Sequence, residues 1–471
     1  MQDEKGFSVT HELAKAEFGD VRLSRRLEIL SNILSSRPSD SFPDAAGSVA
    51  ALEATYRFLG NSKVTPERIL APHVEATIVR ALSSDRVLVI HDTSELLFGG
   101  KSRREELGWT KKGNQGFLAH FSLALSREHI VRPLGVLNVE PFFRRGKPIG
   151  IDPRRAKKSF RNRESQRWWN CAHSTNCLFP LGQNPIHVMD READDYELFS
   201  DLCDQSFRFV IRVRQNRADC AIFGTGKKGK LFELLSTLDA VCEREVPISK
   251  KKGDTWQPKR RGHQPRGARI AKLRISAGTI QLPRPYYAFG HLPPSLTLNF
   301  VHIVEIEVPP GEEAVEWHLV TNESIKTLED VLNIVDDYRA RWTIEEFFKA
   351  LKTGCAYEKR QLENKQSLLN ALAVFTPIAW QLLSMRTLSR TQKESPATLA
   401  LTKTQIDVLK AVSKKSISDC PTIEEALTGV AALGGHIPNN GPPGWQIIAR
   451  GMERLVTMEI AWLAKEGCDQ S

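Results

Sequence analysis

The sequence has no Cys-x-x-Cys pair: its eight cysteines stand at 171, 177, 203, 220, 242, 355, 420 and 468. Cys171, His173 and Cys177 fall close together, but there is no second cluster to complete a tetrahedral zinc site. Structural cysteines in a reducing cytoplasm are therefore expected. Nothing at the N-terminus has the pattern of a signal peptide. No apolar run is read as reaching the roughly eighteen residues needed to cross a bilayer, so a membrane role is not expected. The first 80 residues also lack a basic excess, with 10 Lys/Arg against 11 Asp/Glu. Composition alone would not assign this stretch to nucleic-acid binding.

What the chain does have is length and localised positive charge. At 471 residues it exceeds the usual limit of one hydrophobic core, so two to four domains are expected. The formal charge is +10, which favours polyanionic partners. Residues 101–167 hold 17 Lys/Arg against 6 Asp/Glu, a net of +11, and residues 250–274 hold 10 against 1, a net of +9. Either run alone could be a solvated loop; both flank the residues that carry the chemistry below.

The N-terminal stretch, Glu12 to about Leu70, is patterned as short helices. Leu23, Leu27, Leu30 and Leu34 recur at helical spacing, with Arg22, Arg25 and Arg26 on other faces. Thr65-Pro66 forms an N-cap followed by proline at the first helical position. Arg86–His91 is a short apolar strand with Asp92 at its carboxyl end. Phe117–Leu125 and Val131–Val139 continue an antiparallel meander. A helix over Glu164–Cys177, a strand Ile186–Met189 ending at Asp190, a helix over Asp194–Cys203 and a strand Arg208–Arg214 follow. That order, three antiparallel strands and then helix, strand, helix, strand, predicts a mixed α/β fold of the ribonuclease-H-like kind. A β-rich insertion is expected over about 223–320. Ser324 or Thr327 can cap a long helix over Leu328–Lys352, and the remainder is mostly helical.

At roughly 100° per residue, Tyr338, Arg341, Glu345 and Lys352 share an arc of about 60° on that last helix. One face then presents a carboxylate among cations. Taken singly, a charged helix face is ordinarily solvated, and a strand-ending aspartate is ordinarily a helix cap. Taken together, Asp92, Asp190 and Glu345 can converge from two strands and a helix and bind hard cations through oxygen. Two such ions can drive in-line phosphoryl transfer.

The motifs His91-Asp92-Thr93, DREAD at 190–194 and Tyr338-x2-Arg341-x3-Glu345-x6-Lys352 resemble those of the DDE transposases of the bacterial insertion-sequence-four family, and the resemblance spans nearly the whole chain. It implies that Asp92, Asp190 and Glu345 are catalytic and hold two Mg²⁺ ions, for which Mn²⁺ can substitute. By the same resemblance, residues 18–70 recognise a transposon end, with Arg22, Arg25 and Arg26 as DNA contacts. Trp317 in EWHLVT would stack beside a flipped base. Arg212, Tyr338 and Arg341 would clamp the displaced nucleotide, and Lys352 would meet a backbone phosphate. The implied reaction is nicking, hairpin formation, hairpin opening and joining to target DNA.

The expected partners are double-stranded DNA, as transposon ends and target, and a second copy of the chain in the DNA-bound complex. The expected organisation is a helical end-recognition domain over 1–75, a ribonuclease-H-like catalytic domain with β-rich insertion over 76–370, and a helical dimerisation domain over 371–471. Two other readings are a relative that binds DNA without cutting it and a metal-dependent nuclease that cuts without joining. The intact carboxylates argue against the first; Trp317 and the N-terminal segment argue against the second.

Overall fold

The computed structural model describes residues 9–99, 104, 106–109, 114–128, 131–144, 164–250, 266–288, 291–413, 417–437 and 442–469, with side chains to 463. Residues 145–163 and 251–265, parts of the two basic runs, lie outside the described residues.

Helices α1 (Val9–Leu13), α2 (Val21–Ser36), α3 (Phe42–Ala46), α4 (Val49–Leu59) and α5 (Pro66–Leu82) come first. Strands β1 (Val87–Leu97), β2 (Gly108–Trp109), β3 (Gln115–Arg127) and β4 (Val131–Phe142) follow, then α6 (Gln166–Asn176), β5 (Ile186–Met189), α7 (Tyr196–Asp204) and β6 (Arg208–Arg212). Next come β7 (Cys220–Ile222), β8 (Lys228–Gly229), α8 (Leu231–Ser236), β9 (Ala240–Ile248), β10 (Arg269–Pro283), β11 (Ser295–Glu305) and β12 (Glu316–Thr321). The chain ends in α9 (Leu328–Ala340), α10 (Trp342–Lys349), a π-helical segment Ala350–Gly354, α11 (Lys365–Thr391), α12 (Lys403–Val412), α13 (Ile423–Leu433) and α14 (Trp445–Asp469). The fold is mixed α/β with the ribonuclease-H-like order, an N-terminal helical domain, a β-rich insertion and C-terminal helices. Two compact units form: Met1–Ile151 with Trp342–Ser471, and Asp152–Arg341.

In the first unit, helix ends are set locally. Thr65 Oγ1 accepts from the Arg68 amide, and Pro66 takes a position whose amide has no helical partner. In α2, Leu27, Leu30 and Leu34 are buried while Arg22 and Arg25 face solvent. Burial of each leucine contributes about 1.5–3 kcal/mol. Strand β3 pairs antiparallel with β1 on one edge and with β4 on the other.

Helices α5 and α11 pack on β4. Gly135 permits this approach, because a Cβ there would lie 1.9 Å from Thr77 Oγ1 of α5. A buried polar cluster fastens the same layer. The Val136 amide donates to His73 Nε2 at 3.1 Å, so the ring proton sits on Nδ1, which donates to Glu12 Oε2 at 2.6 Å. Arg80 bonds Glu12 Oε1 and the Leu134 carbonyl, and its guanidinium lies 4.4 Å over the Trp380 ring. Burial keeps His73 below its ordinary value and so neutral. Burial would raise Glu12, but the hydrogen bonds and charges of His73 and Arg80 together hold it below its ordinary value.

Helix α11 corrects one expectation. Its most apolar 18-residue window has mean hydropathy 1.5, long and apolar enough to span a membrane by composition, yet 83% of that window is buried within the protein. Polar side chains tie it in: Asn370 Nδ2 donates to the carbonyls of Leu59 and Val64, and Trp380 Nε1 to that of Pro133. It is a core helix of this unit.

In the second unit the sheet runs β5-β6-β12-β11-β10, with β9 and β7 on the outer edge of β10. Among the described residues of this unit, β5 and β6 pair in parallel and the other ladders are antiparallel. The β-rich insertion therefore joins the core sheet through β12 on β6, rather than standing apart.

Glu12→Gln is expected to destabilise the protein by about 3 kcal/mol at neutral pH, the range for breaking a buried pair. Because the folded-state value of Glu12 is depressed below 4.5, its contribution is whole above that pH and is lost as pH falls through the depressed value. Denaturant titrations of both proteins across pH 3–7 check this; a gap that widens toward acid would contradict it.

Candidate active site

Asp92 does not end its strand. The β1–β3 ladder continues past it to Leu97 opposite Gly116, so the polar run Asp92–Glu95 stays extended. Polar residues need not stop a strand whose partner keeps supplying backbone bonds. Asp92 is half-buried and its Oδ1 accepts from the Thr93 amide at 2.7 Å. Directly opposite Asp92 lies Phe121, which shares its face of the sheet. The Phe121 ring meets Phe347 at 5.4 Å and Phe348 at 5.5 Å. Those two rings follow Glu345 by two and three residues. The wedge thus lays α10 against β1, with the half-buried Glu345 in the first turn of that helix.

The expected single helix over Leu328–Lys352 is interrupted. Thr327 caps α9 in a reciprocal box with Asp330, as its sequence allows. At Arg341 the backbone stays helical, but its amide bonds the Tyr338 carbonyl three residues back. After Lys349 the wider π-helical turns of Ala350–Gly354 begin, and Ala356 takes a left-handed conformation at φ 48°. Single π-turns recur at functional sites. The 60° arc therefore does not hold through Lys352. The Lys352 ammonium donates to the Glu95 carbonyl of β1 and lies 3.7 Å from Glu358, whose Oε1 accepts from the Leu97 amide.

Within the second unit, Asp190 follows β5 as the sequence pattern requires. It caps the short 3₁₀ turn Arg191–Ala193, accepting from the Glu192 amide at 2.7 Å. Burial raises its carboxyl above the ordinary value, the Glu192 hydrogen bond and Arg341 working against that and the Glu192 charge with it. Tyr338 is buried, its hydroxyl shifted upward by burial against the pull of Arg341 and Arg212. The Trp317 ring stands edge-on to Tyr338 at 5.6 Å, and the Arg341 guanidinium lies 5.9 Å from the Tyr338 ring. Arg212 also donates to the Glu316 carbonyl at 3.0 Å. One carboxylate, two guanidiniums and two aromatic rings are thereby gathered in one unit.

Asp194, the last residue of DREAD, has a different task. Its buried carboxylate accepts from the amides of Arg214 and Gln215 and pairs with Arg217, which fixes the turn beyond Arg212. The expected helix over Asp194–Cys203 accordingly starts later, at Tyr196, with Asp195 as its cap. His173 pairs with Asp201 at 2.8 Å, and Cys171 is buried while Cys177 is exposed. In the N-terminal helices Arg25 is exposed, Arg26 half-buried, and Arg22 bonded to Asp20 through Nε and Nη2.

Carboxylates on a strand and a helix of the first unit, and one at a strand end beside cations and aromatic rings in the second, are residue types that phosphoryl transfer on nucleic acid uses. Residues 8–64 match the family described as transposase DNA-binding, and residues 175–375 match the transposase DDE domain. The chain is thus a transposase with a DNA-binding domain and a DDE domain. Among solved structures it is similar to the piggyBac transposase in a synaptic complex with hairpin DNA, at 10% identity over 98% of this chain and 80% of that one, with a TM-score of 0.38.

Phe121→Ala is expected to cost about 3–5 kcal/mol, the usual loss for a buried phenylalanine. Equilibrium denaturation would show it; a loss below about 1 kcal/mol would mean that α10 is held by other contacts.

Proposed function

We propose that the protein moves a DNA element by cutting and pasting, with Asp92, Asp190 and Glu345 as the catalytic carboxylates. The observation that carries this reading is the company Asp190 keeps. A half-buried carboxylate beside Arg341, Tyr338, Arg212 and Trp317 is equipped to hold a reacting phosphate and an unstacked base together. The DDE domain match spans Asp190 and Glu345, and Asp92 lies on the strand against which α10 packs.

The donor set fits two Mg²⁺ ions, with Mn²⁺ as a substitute: all three ligands are carboxylates, and the buried anion at Asp190 is one that a cation would relieve. Bound there, the ions supply an activated nucleophilic oxygen and neutralise charge at the phosphorus and the departing oxygen. The chain's own groups do the rest. Arg341 and Arg212 present planar donors suited to phosphate oxygens. The Tyr338 hydroxyl feels the charges of both Arg341 and Arg212. Trp317 offers a face on which an extruded base can stack, an interaction of about 1–3 kcal/mol. The Lys352 ammonium has three donors, one given to Glu95, and keeps capacity for a backbone phosphate.

In this reading the helices up to residue 75 read the element's end with Arg22, Arg25 and Arg26, residues 76–370 catalyse, and residues 371–471 pair two copies. Exposed Ile460, Trp462 and Leu463 along α14 support the last assignment. The reaction runs through nicking, a hairpin, its opening and joining to target DNA.

Glu345→Gln is expected to abolish cleavage of end-bearing duplex in Mg²⁺ while DNA affinity changes less than about threefold, because one neutralised carboxylate leaves the phosphate contacts in place. Full cleavage by that variant would remove the site assignment. For Trp317→Ala, first-strand nicking at the parental rate with at least tenfold less hairpin is expected on denaturing gels. Unchanged hairpin yield would remove the stacking role.

A further inference from the structure

On the other face of the strand that carries Trp317 lies a second group of metal-ligating side chains. His302 of β11 and His318 of β12 are direct cross-strand partners, and Glu316 precedes His318 by two residues on the same face. One ligand atom from each lies within 4.8 Å of the others. Glu316 Oε1 is 2.8 Å from His302 Nε2 and 3.5 Å from His318 Nε2. A tetrahedral ion with bonds of about 2.1 Å separates its ligands by about 3.4 Å, between those two distances. The histidine side chains are buried, at 4% and 10% exposure, while Glu316 at 47% forms an open mouth through which an ion could enter.

We infer that His302, Glu316 and His318 form a binding site for a borderline-soft dication of the Zn²⁺ type, separate from the carboxylates proposed for catalysis. Two imidazoles and one carboxylate match the preferences of Zn²⁺ and Ni²⁺ and not those of Mg²⁺. The scaffold is prepared: Phe232 stacks on His318 at 4.0 Å and 5°, and His318 on His302 at 4.7 Å and 5°. The parallel rings set their ring nitrogens side by side, so capture turns His302, at the end of the stack, toward the ion. Solvent fills the fourth position. The bound ion clamps β11 to β12, and with them the backbone on either side of Trp317, where Arg212 already holds the Glu316 carbonyl. The site stands on its own geometry and does not depend on the transposition reading.

The test uses the full-length protein in saturating Mg²⁺, so that carboxylate-only sites are filled, with Zn²⁺ titrated against a chelating dye. One Zn²⁺ per chain is expected, with affinity at least tenfold weaker in Glu316→Gln and weaker still in His302→Gln, and a Zn²⁺-dependent rise in Tm that both variants lose. Glu316 is half-exposed, so its variant decides the matter even where His302→Gln fails to fold. No Zn²⁺ uptake in Mg²⁺ overturns the inference. Uptake unchanged in Glu316→Gln also overturns it.

Discussion

One buried carboxylate, Glu12, ties the N-terminal helices to the sheet of the first unit. A charge taken out of water is expensive unless every oxygen is met by a donor. Here His73 and Arg80 meet it from α5, and both of those side chains are themselves fixed by β4, through the Val136 amide and the Leu134 carbonyl. Trp380 of α11 closes the cluster by lying under Arg80 and donating to Pro133. Four helices and strands distant in sequence are thus committed to one arrangement by groups that tolerate no substitute partner. The close approach at Gly135 is the steric condition for it.

A second tie runs between the last part of the DDE-domain match, residues 175–375, and the DNA-binding match at residues 8–64. Arg360 is buried, donates to the carbonyls of Pro38, Asp40 and Cys355, and lies over the rings of Phe42 and Phe375. Burial pulls it down to about 10, so it remains charged at neutral pH. Gln366 and Asn370, on the helix that follows, reach the carbonyls of Asn61, Leu59 and Val64. Backbone carbonyls left over at turns and helix ends thereby become the anchor points, and the N-terminal helices are held rigidly within their unit.

Much of this was legible in the sequence where local physics decides. The Thr65-Pro66 and Thr327 caps, the strand Ile186–Met189 and the order of elements follow from residues within a few positions of each other. Asp190 was placed correctly for the same reason. Asp92 was misplaced within its strand because the length of β1 is set by β3, whose partnering residues lie over twenty positions away. The break at Arg341 and the π-helical segment escaped the periodicity because an ideal 3.6-residue helix was assumed throughout. The apolar window of α11 escaped because charge and proline read as interruptions, whereas the helix runs through Pro377 from Lys365 to Thr391. The cluster at His302, Glu316 and His318 has no sequence signature at all, since cross-strand register alone brings residues 302 and 318 opposite each other.

Strand β12 shows how one short segment can serve two chemistries. Alternation sends Trp317 to the side of Tyr338 and Arg341, and Glu316 and His318 to the side of His302 and Phe232. Donor type separates what each side can hold. Oxygen-only carboxylates suit hard, strongly hydrated Mg²⁺, whereas imidazole nitrogens suit the softer dications. An ion on the histidine face can therefore come and go without competing for the carboxylates, while stiffening the strand that presents Trp317.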